Sequence, residues 1–334
     1  MGTSYSGRYT NPLGAGPRAF GGAGWNLGVE ALAGQTEIST VFDDFNRTMT
    51  ADAAGTAMEL NGWEVFESAG AANNTIGMND PVNHVEHFSG ILIDAGDNAD
   101  DGYSVQLADS TAGAQVHEWI WVPTNGNAAA LDGSILTFAC RIGVTCDVAG
   151  GWSGKVFIGW ATLGETAVLT LADGTIGVGA AADLVHGFHI PEDGSIDGIS
   201  QGRDGTTAYV EGTNFTELFA AGAADSGVAG NAGFIWYDLA LRMAITDMSD
   251  DDANGSTTFY SRLLSDSTPP PGSMGGNMPG EGPAWKQHPT VLMNQTPNPG
   301  DALVPTIEVI NGPTSHIDLK LDWWAMGFSR FSRI

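Results

Sequence analysis

The stretch FIWYDLALRMAIT, residues 234–246, decides the fold class of this chain. Its apolar side chains recur at every second position: Ile235, Tyr237, Leu239, Leu241, Met243 and Ile245. Asp238, Arg242 and Thr246 fall on the alternate positions. Because successive side chains of a β-strand point to opposite faces, this period of two predicts an antiparallel strand with one face in a core and the other towards solvent.

The same alternation recurs along most of the chain, between turns rich in Gly, Asn, Asp and Pro. It predicts strands at Val41–Phe45, Trp63–Phe66, Phe88–Ile93, Tyr103–Leu107, Glu118–Val122, Ile135–Val144, Lys155–Thr162, Leu184–Ile190, Thr206–Val210, Phe234–Thr246, Thr257–Leu264, Thr306–Ile310 and Ile317–Trp324. In the last of these, the pattern places Ile317, Leu319, Leu321 and Trp323 on the core face. A short helix is expected at Asn214–Ala221, where Asn214 can cap the first turn. Many short strands with frequent turns favour an all-β sandwich or jelly roll over a parallel α/β sheet.

The composition agrees with a sheet protein and excludes some partners. A hydrophobic content of 42% suffices for a core, while 47 glycines and only 15% charged residues suit turns better than a helical bundle. The formal charge is −27, from 39 acids and 12 bases. Such a surface excludes nucleic acid and anionic membranes as partners that bind through a broad basic face. No apolar leader or membrane span is found, so a soluble protein made in a cytoplasm is expected.

The two ends of the chain depart from this acidity. Residues 1–29 contain Arg8 and Arg18 and no acid, and Arg330 and Arg333 follow the last acid, Asp322. One hypothesis is that these ends dock on acidic surfaces of neighbouring copies or partner proteins. The alternative is a pair of poorly ordered termini that happen to lack acids.

The sequence divides into an extended Gly/Ala-rich N-terminal arm, residues 1–40, and a sandwich, residues 41–334, with a Pro-rich insertion at 265–301. The insertion carries the apolar residues Met274, Met278 and Trp285 among its prolines. Long insertions of this kind are commonly functional or disordered. Two interpretations stay open: a loop that contacts a neighbouring subunit, and a loop folded over its own sandwich.

One motif suggests a metal ion. Residues 250–255, DDDANG, fit the D-x-[DN]-x-[DN]-G opening of a calcium loop, with Asp250, Asp252 and Asn254 as oxygen donors. The twelfth position is Ser261 and not the usual Glu, and the flanks are predicted as strands. An acidic hairpin turn explains the same residues, so both a calcium site and a plain turn remain open, and no other cofactor is expected.

The histidines and cysteines give weaker signals. His84 and His87, like His186 and His189, are three apart, which in a strand places the two rings on opposite faces and disfavours a shared metal. Cys140 and Cys146 lie in one predicted strand, where six extended residues separate their Cα atoms by roughly 20 Å, beyond the ~7 Å that a disulfide spans. Two reduced core thiols are therefore expected.

Catalysis is not predicted. The E-x-D-x-x-E pattern of sandwich-fold glycanases, the G-x-S-x-G elbow and the phosphate-binding loop are all missing, so the chain is expected not to be an enzyme. Ten tryptophans allow a sugar-binding alternative, because exposed indoles stack on sugar rings. Trp119 and Trp121 share one strand face, and Trp323 and Trp324 are adjacent; core or interface packing is the simpler explanation.

Several segments, in this order, resemble a known family. They are Val41-Phe42-Asp43-Asp44-Phe45, Trp63, Gly90-Ile91-Leu92-Ile93, Asp101-Gly102-Tyr103, Leu136-Thr137-Phe138, Val156-Phe157-Ile158-Gly159-Trp160 and Leu319-Lys320-Leu321-Asp322-Trp323. The chain resembles the concanavalin A-like jelly-roll domains of tailed-bacteriophage structural proteins, such as capsid decoration (cement) and fibre proteins. The likeness covers residues 41–328, and neither the arm nor the insertion has a counterpart in it.

The resemblance implies a virion structural protein on the capsid surface. The first expectation is a decoration protein that bridges subunits of the major capsid protein, as a homotrimer. The alternative is a phage fibre or receptor-binding protein that recognises host-surface glycan.

Overall fold

The structure, a computed structural model, describes residues 37–43, 58–60, 63–67, 75–78, 91–94, 102–106, 135–146, 154–162, 168–169, 185–191, 196–201, 207–210, 235–247, 254–265, 286–293, 303–312 and 317–330. Within these ranges every regular element is a strand. The strands are β1 Glu37–Asp43, β2 Met58–Leu60, β3 Trp63–Glu67, β4 Thr75–Met78, β5 Ile91–Asp94, β6 Gly102–Gln106, β7 Ile135–Cys146, β8 Lys155–Thr162, β9 Val185–Ile190, β10 Asp197–Gln201, β11 Thr207–Val210, β12 Ile235–Asp247, β13 Asn254–Ser265, β14 Lys286–Met293, β15 Leu303–Ile310 and β16 Ile317–Arg330.

The strands form two antiparallel sheets of eight strands each. Sheet I has the order β14-β13-β12-β7-β16-β5-β4, and β1 also pairs with β16. Sheet II has the order β11-β10-β9-β8-β15-β6-β3-β2. The first and last described strands are therefore neighbours, and half of the pairings within the two sheets join strands that are not consecutive in the chain. The expected all-β jelly-roll sandwich is confirmed.

The two sheets pack face to face through aromatic pairs. Phe138 of sheet I meets Trp160 of sheet II edge-on, with ring centroids 6.2 Å apart. Phe188 of sheet II meets Phe259 of sheet I in the same way at 5.5 Å. A side chain at Gly198 would come within 2.8 Å of the Phe259 ring, so the strand needs a glycine there. Burying side chains of this size contributes about 1.5–3 kcal/mol each and makes this inner layer the main core.

Strand β12 confirms the predicted alternation, with one correction. Tyr237, Leu239 and Leu241 are buried towards sheet II, on the same side as their neighbour Phe138. The alternate face was expected to meet solvent, yet Asp238 and Ala240 on that face are also completely buried. The strand is thus covered on both sides, because β12 lies inside sheet I and the outer face of that sheet is itself covered.

Strand β16 corrects a second expectation. Ile317, Leu319 and Leu321 are fully buried, as the alternation predicts. A register shift between Leu321 and Trp323 then places Trp324 opposite Cys140. Because a bulge adds one residue to one strand only, it reverses the parity of everything after it. Trp324 therefore takes a core position, where it is buried, whereas the uninterrupted alternation predicted Trp323 for that face.

Other element boundaries differ from the predictions in informative places. Strand β14 lies within the segment predicted as a Pro-rich loop, so that prediction is wrong for residues 286–293. Strand β1 begins at Glu37, inside the predicted arm. Strands β2, β4 and β10 were not predicted, because each is short or rich in Gly and polar residues. The predicted strand at 118–122 and the helix at 214–221 lie outside the described residues.

The cysteine prediction is confirmed for Cys140, which is a buried free thiol. Burial raises the pKa of this thiol well above its ordinary value, and the nearby Asp238 charge raises the pKa further. Cys146 lies at the other end of the same strand, β7. Cys140 therefore behaves as a core side chain.

Candidate functional site

The chemistry-bearing side chains of the described residues gather in four places: the outer face of sheet II, the space between the sheets, the edge of sheet I, and the outer face of sheet I. "Outer" denotes the face of a sheet that points away from the other sheet, and "inner" the face towards it.

Six polar side chains are buried on the outer face of sheet II and are called the outer polar band. They are Gln106, Lys155, His189, Gln201, Thr306 and Glu308. Lysine and glutamate are almost never fully buried without partners. A band of this kind is therefore a candidate site and needs an account of what its groups bind.

Glu308 fastens a further segment of the chain to sheet II. The amide nitrogen of Leu169 donates a hydrogen bond of 2.9 Å to Oε2 of Glu308. Around this bond lies a buried apolar cluster made of Phe157, Ala161, Val168, Leu169, Val185, Ile199 and Ile310. Residues 168–169 thus lie against the outer face of sheet II and cover part of it. The carboxylate and the apolar cluster hold these two residues in place.

Gln106 braces neighbouring strands of the same face. Its side-chain nitrogen donates to Oγ1 of Thr306 at 3.2 Å and to the carbonyl oxygen of Thr162 at 3.2 Å. The Thr306 hydroxyl in turn donates to the carbonyl oxygen of Val304 at 3.1 Å. These bonds join β6, β15 and β8, so this part of the band is used for internal bonding.

Glu308 and His189 stand on strands two apart. Phe157 of β8 has Glu308 of β15 on one side and His189 of β9 on the other. Neighbouring strands are about 4.8 Å apart, so the backbones of the two polar residues are separated by about 10 Å with the Phe157 ring between them.

Between the sheets, three polar side chains form a chain of hydrogen bonds that we call the inter-sheet polar chain. Nδ1 of His186 lies 2.8 Å from Oγ of Ser200, and that oxygen lies 3.2 Å from Oγ1 of Thr257. His186 and Ser200 belong to sheet II, whereas Thr257 belongs to sheet I. Burial lowers the pKa of His186 to about 3, so its ring is neutral at ordinary pH. The chain links the two sheets through uncharged groups.

An imidazole beside a hydroxyl at 2.8 Å has the spacing of a base and a nucleophile. Ser200 is only 1% exposed and His186 not at all, because both point into the core between the sheets. A substrate would have to part the sheets to reach the hydroxyl. The geometry therefore favours a structural part for this pair.

A second imidazole–hydroxyl pair lies at the edge of sheet I. Nε2 of His288 on β14 is 2.7 Å from Oγ of Ser261 on β13, and Oγ1 of Thr290 is 2.9 Å from Oγ1 of Thr258. His288 is buried, while its neighbours Gln287 and Pro289 are exposed. The strand register is irregular here, which fits a proline in an edge strand. Side-chain bonds thus hold an edge strand whose backbone pairing is interrupted.

The outer face of sheet I carries a buried ion pair. Nε of Arg141 donates to Oδ1 of Asp238 at 2.7 Å, and Nη2 donates to Oδ2 at 3.3 Å. The Asp238 side chain is fully buried and that of Arg141 is 11% exposed. The two residues are register partners on β12 and β7. The pair therefore joins two central strands side by side.

The structure places few of the sequence-predicted site residues. Arg8, Arg18, Asp250, Asp252, Met274, Met278, Trp285 and Arg333 lie outside the described residues. Arg330 is the last residue of β16, where its backbone pairs with that of Glu37. Asn254 begins β13 opposite Asp247, so the predicted hairpin between β12 and β13 is confirmed. The calcium and docking predictions stay predictions.

The predicted aromatic and histidine candidates are resolved in part. His186 and His189 do point to opposite faces of β9, as expected for a strand. No group of three or more His, Cys, Asp or Glu side chains within the described ranges could hold a metal ion. Trp324 is a core residue, whereas Trp119, Trp121, His84 and His87 fall outside these ranges.

Sequence reasoning missed the polar groups that lie inside the structure. Thr306 and Glu308 alternate with Ile307 and Val309, and this pattern is typical of a face in solvent. One signal for the inter-sheet polar chain was present in the sequence. Thr257 is two positions before Phe259 and therefore lies on the same, core-facing side of its strand. Ser200 gave no such signal, since β10 itself was not predicted.

Comparison with known proteins gives a broad likeness. No protein-family model matches the chain, and no curated protein matches it either. Solved structures that it is similar to include lectin II from Ulex europaeus, at 6% identity and TM-score 0.42, covering 86% of this chain and 97% of the lectin. A peanut lectin with a bound nonapeptide has 8% identity and TM-score 0.42, covering 89% and 100%. Alginate lyase vAL-1 from Chlorella virus has 8% identity and TM-score 0.39, covering 81% and 94%. At these values the likeness carries no argument about function.

In the part of the chain that the structure describes, no helix has the length and apolar character required to cross a bilayer.

Proposed function

We propose that this chain is a non-enzymatic building block of a virion: a capsid decoration protein that bridges and stabilises subunits of the major capsid protein. Its partners in this proposal are the capsid lattice and further copies of itself, arranged as a homotrimer on the capsid surface. The sequence resemblance supplies the class, and the internal bonding of the sandwich supports a structural part.

One observation carries the proposal. Several buried polar and charged groups of the described strands act as fasteners between parts of the fold. Asp238 and Arg141 join two strands, Glu308 holds the segment at 168–169, and Ser200 and Thr257 join the two sheets. These bonds act within a sheet, between the two sheets, and between a sheet and a further segment. The resulting rigidity is a property that a shell-stabilising protein requires.

The surface charge supports an attachment through selected segments. With a formal charge of −27, most of the surface repels other acidic proteins. Two stretches lack acids: residues 1–29 and the end after Asp322. An acidic neighbouring protein would meet the least electrostatic repulsion there. In this proposal these segments and the Pro-rich insertion make the contacts, while the sandwich supplies shape.

The direct test uses bare, expanded capsid shells. Purified protein should co-sediment with the shells and raise their melting temperature, and a trimer should be seen by sedimentation velocity. Failure to bind shells of the cognate phage would exclude the decoration role. Binding without any rise in shell melting temperature would exclude stabilisation as its purpose.

The structure indicates where appendages can be cut without touching a strand. Deletion of residues 1–36 spares β1, and shortening within residues 266–285 lies between β13 and β14. Each deletion should weaken shell binding while circular dichroism keeps its β signature. Neutralising Arg8, Arg18, Arg330 and Arg333 should act in the same direction at low salt, since exposed charges are screened as ionic strength rises.

The same preparations separate the alternative. A fibre or receptor-binding protein would bind host glycans on an array and would be needed for adsorption to the host. Glycan binding together with indifference to capsid shells would replace the decoration role by this alternative.

A further inference from the structure

The row of residues that crosses sheet II on its inner face contains two buried polar atoms with nothing to bind. In register, Trp160 of β8 stands beside His186 of β9, which stands beside Ser200 of β10. Nε1 of Trp160 and Nε2 of His186 have no hydrogen-bond partner in the described structure. Buried polar atoms in proteins are nearly always paired, and an unpaired one destabilises the fold.

The directions of the atoms bring the two together. Nδ1 of His186 is directed at Ser200, on the β10 side of the ring. Because the two nitrogens of an imidazole point in widely different directions, Nε2 points away from Ser200, and Trp160 is the register neighbour of His186 on its other side, in β8. Both residues belong to the inner face of sheet II, where Trp160 meets Phe138 of sheet I.

The two atoms are also complementary to one small molecule. The indole N–H of Trp160 can only donate. The His186 ring is neutral, since burial lowers its pKa to about 3, and a neutral imidazole has one accepting nitrogen. A water molecule can accept from the indole and donate to the imidazole, and buried waters typically serve groups that are otherwise unsatisfied.

We propose that Trp160 and His186 hold one ordered water molecule between the two sheets. The water accepts the indole hydrogen and donates to Nε2 of His186, and Nδ1–H of the same ring donates to Ser200. The Ser200 hydroxyl then donates to Thr257 of sheet I, so one directed series of hydrogen bonds runs from Trp160 to Thr257. The site takes water, and its consequence is a fixed tautomer of His186 with the proton on Nδ1.

Nuclear magnetic resonance on the full chain tests both parts. The indole N–H of Trp160 should show the negative nuclear Overhauser effect to water that a long-lived, immobilised molecule produces. A long-range proton–nitrogen spectrum should show His186 in the Nδ1–H form at pH 7. Absence of the water signal, a direct scalar coupling between the Trp160 N–H and His186 Nε2, or the Nε2–H form would each overturn the proposal.

Two variants sharpen the experiment. Trp160→Phe removes the donor and should shift the His186 side-chain nitrogen resonances, whereas Trp324→Phe, at another buried indole of the core, should leave them unchanged. Equal shifts in both variants would overturn the pairing of Trp160 with His186. If Trp160→Phe does not fold, sequential assignment of the wild-type spectrum identifies the indole, and the water signal decides the outcome.

Discussion

The outer faces of the two sheets both contain buried side chains, but these are held in different ways. On sheet I the central contact is the Arg141–Asp238 ion pair, which links two strands of the same sheet. On sheet II the contact is an apolar cluster with one carboxylate, Glu308, which links the sheet to the segment at 168–169. The ion pair thus joins two strands of one sheet, whereas the carboxylate and the apolar cluster join a sheet to a segment outside it.

The difference teaches where charge is costly. Two buried charges must both be desolvated, and their attraction repays this only when the geometry is good. On sheet II, the carboxylate accepts one backbone hydrogen bond, and burial of the surrounding apolar side chains adds to the stability of the same contact. The face of sheet I should therefore depend heavily on one pair, whereas the face of sheet II should spread its stability over many contacts.

The largest effect is expected from breaking the ion pair on one side. Asp238→Ala leaves Arg141 without its partner in a buried place and should lower the free energy of unfolding by about 3–5 kcal/mol in urea denaturation. The double variant Arg141→Met/Asp238→Leu should recover most of this loss, because no unpaired charge remains. A loss below about 1 kcal/mol for the single variant would show that the pair is not the main contact of this face.

The space between the sheets holds an imidazole, that of His186, which is buried in its neutral form. The pKa of His186 falls from 6.5 to about 3 on folding. Below about pH 6.5 the unfolded chain therefore binds a proton at His186, whereas the folded chain does not. The free energy of unfolding is highest above that pH and decreases as the pH falls towards 3.

Each unit of pH within this window should cost about 1.4 kcal/mol. Between pH 6.5 and 4.5 the wild type should therefore lose about 2–3 kcal/mol more than His186→Gln, as measured by urea midpoints at the two pH values. Identical losses in the two proteins would contradict the neutral burial of this ring.

The carboxylate on sheet II should give a smaller effect than the ion pair. Glu308→Ala removes the acceptor of the Leu169 amide and should cost about 1.5–3 kcal/mol. Glu308→Gln keeps an acceptor of similar shape and should cost less. Amide exchange at Leu169 should quicken more than exchange in β12; equal changes at both places would mean that Glu308 stabilises the whole fold and not this segment.

The smallest effect is expected within the apolar cluster itself. Ile199→Val removes one buried methyl group and should cost about 0.5–1.5 kcal/mol, since neighbouring side chains share the loss. The thermal midpoint should fall slightly with an unchanged β spectrum. A loss as large as that of Asp238→Ala would contradict the view that sheet II distributes its stability.

Much of the fold follows from the sequence because the period of two is local. Strand β8 was predicted with both of its boundaries, since Lys155–Thr162 is a short apolar run between turn residues, which is typical of a strand buried on both faces. Strands β7, β9 and β12 were predicted to within a residue or two of each end for the same reason. Strand β14 escaped prediction because Pro289 and the prolines of the flanking segments indicate a loop, whereas an edge strand tolerates a proline at an interruption of its register.

The candidate sites were less predictable. Arg141 and Asp238 are 97 residues apart, and Glu308 and Leu169 are 139 apart. Nothing in the local pattern tells which strands become neighbours or which outer face is covered. Asp238 illustrates the limit: its place on the alternate face is readable from the sequence, but its complete burial is not.

The amino-acid order alone determined that this protein is made of strands and which residues share a face, because alternation needs only neighbouring side chains. The tertiary structure decided the strand order, the bulge that places Trp324 on the core face, and the burial of Lys155, Asp238 and Glu308. The physical reason is that a polar residue on a strand face meets water or protein according to what covers that face, and the cover comes from residues far along the chain.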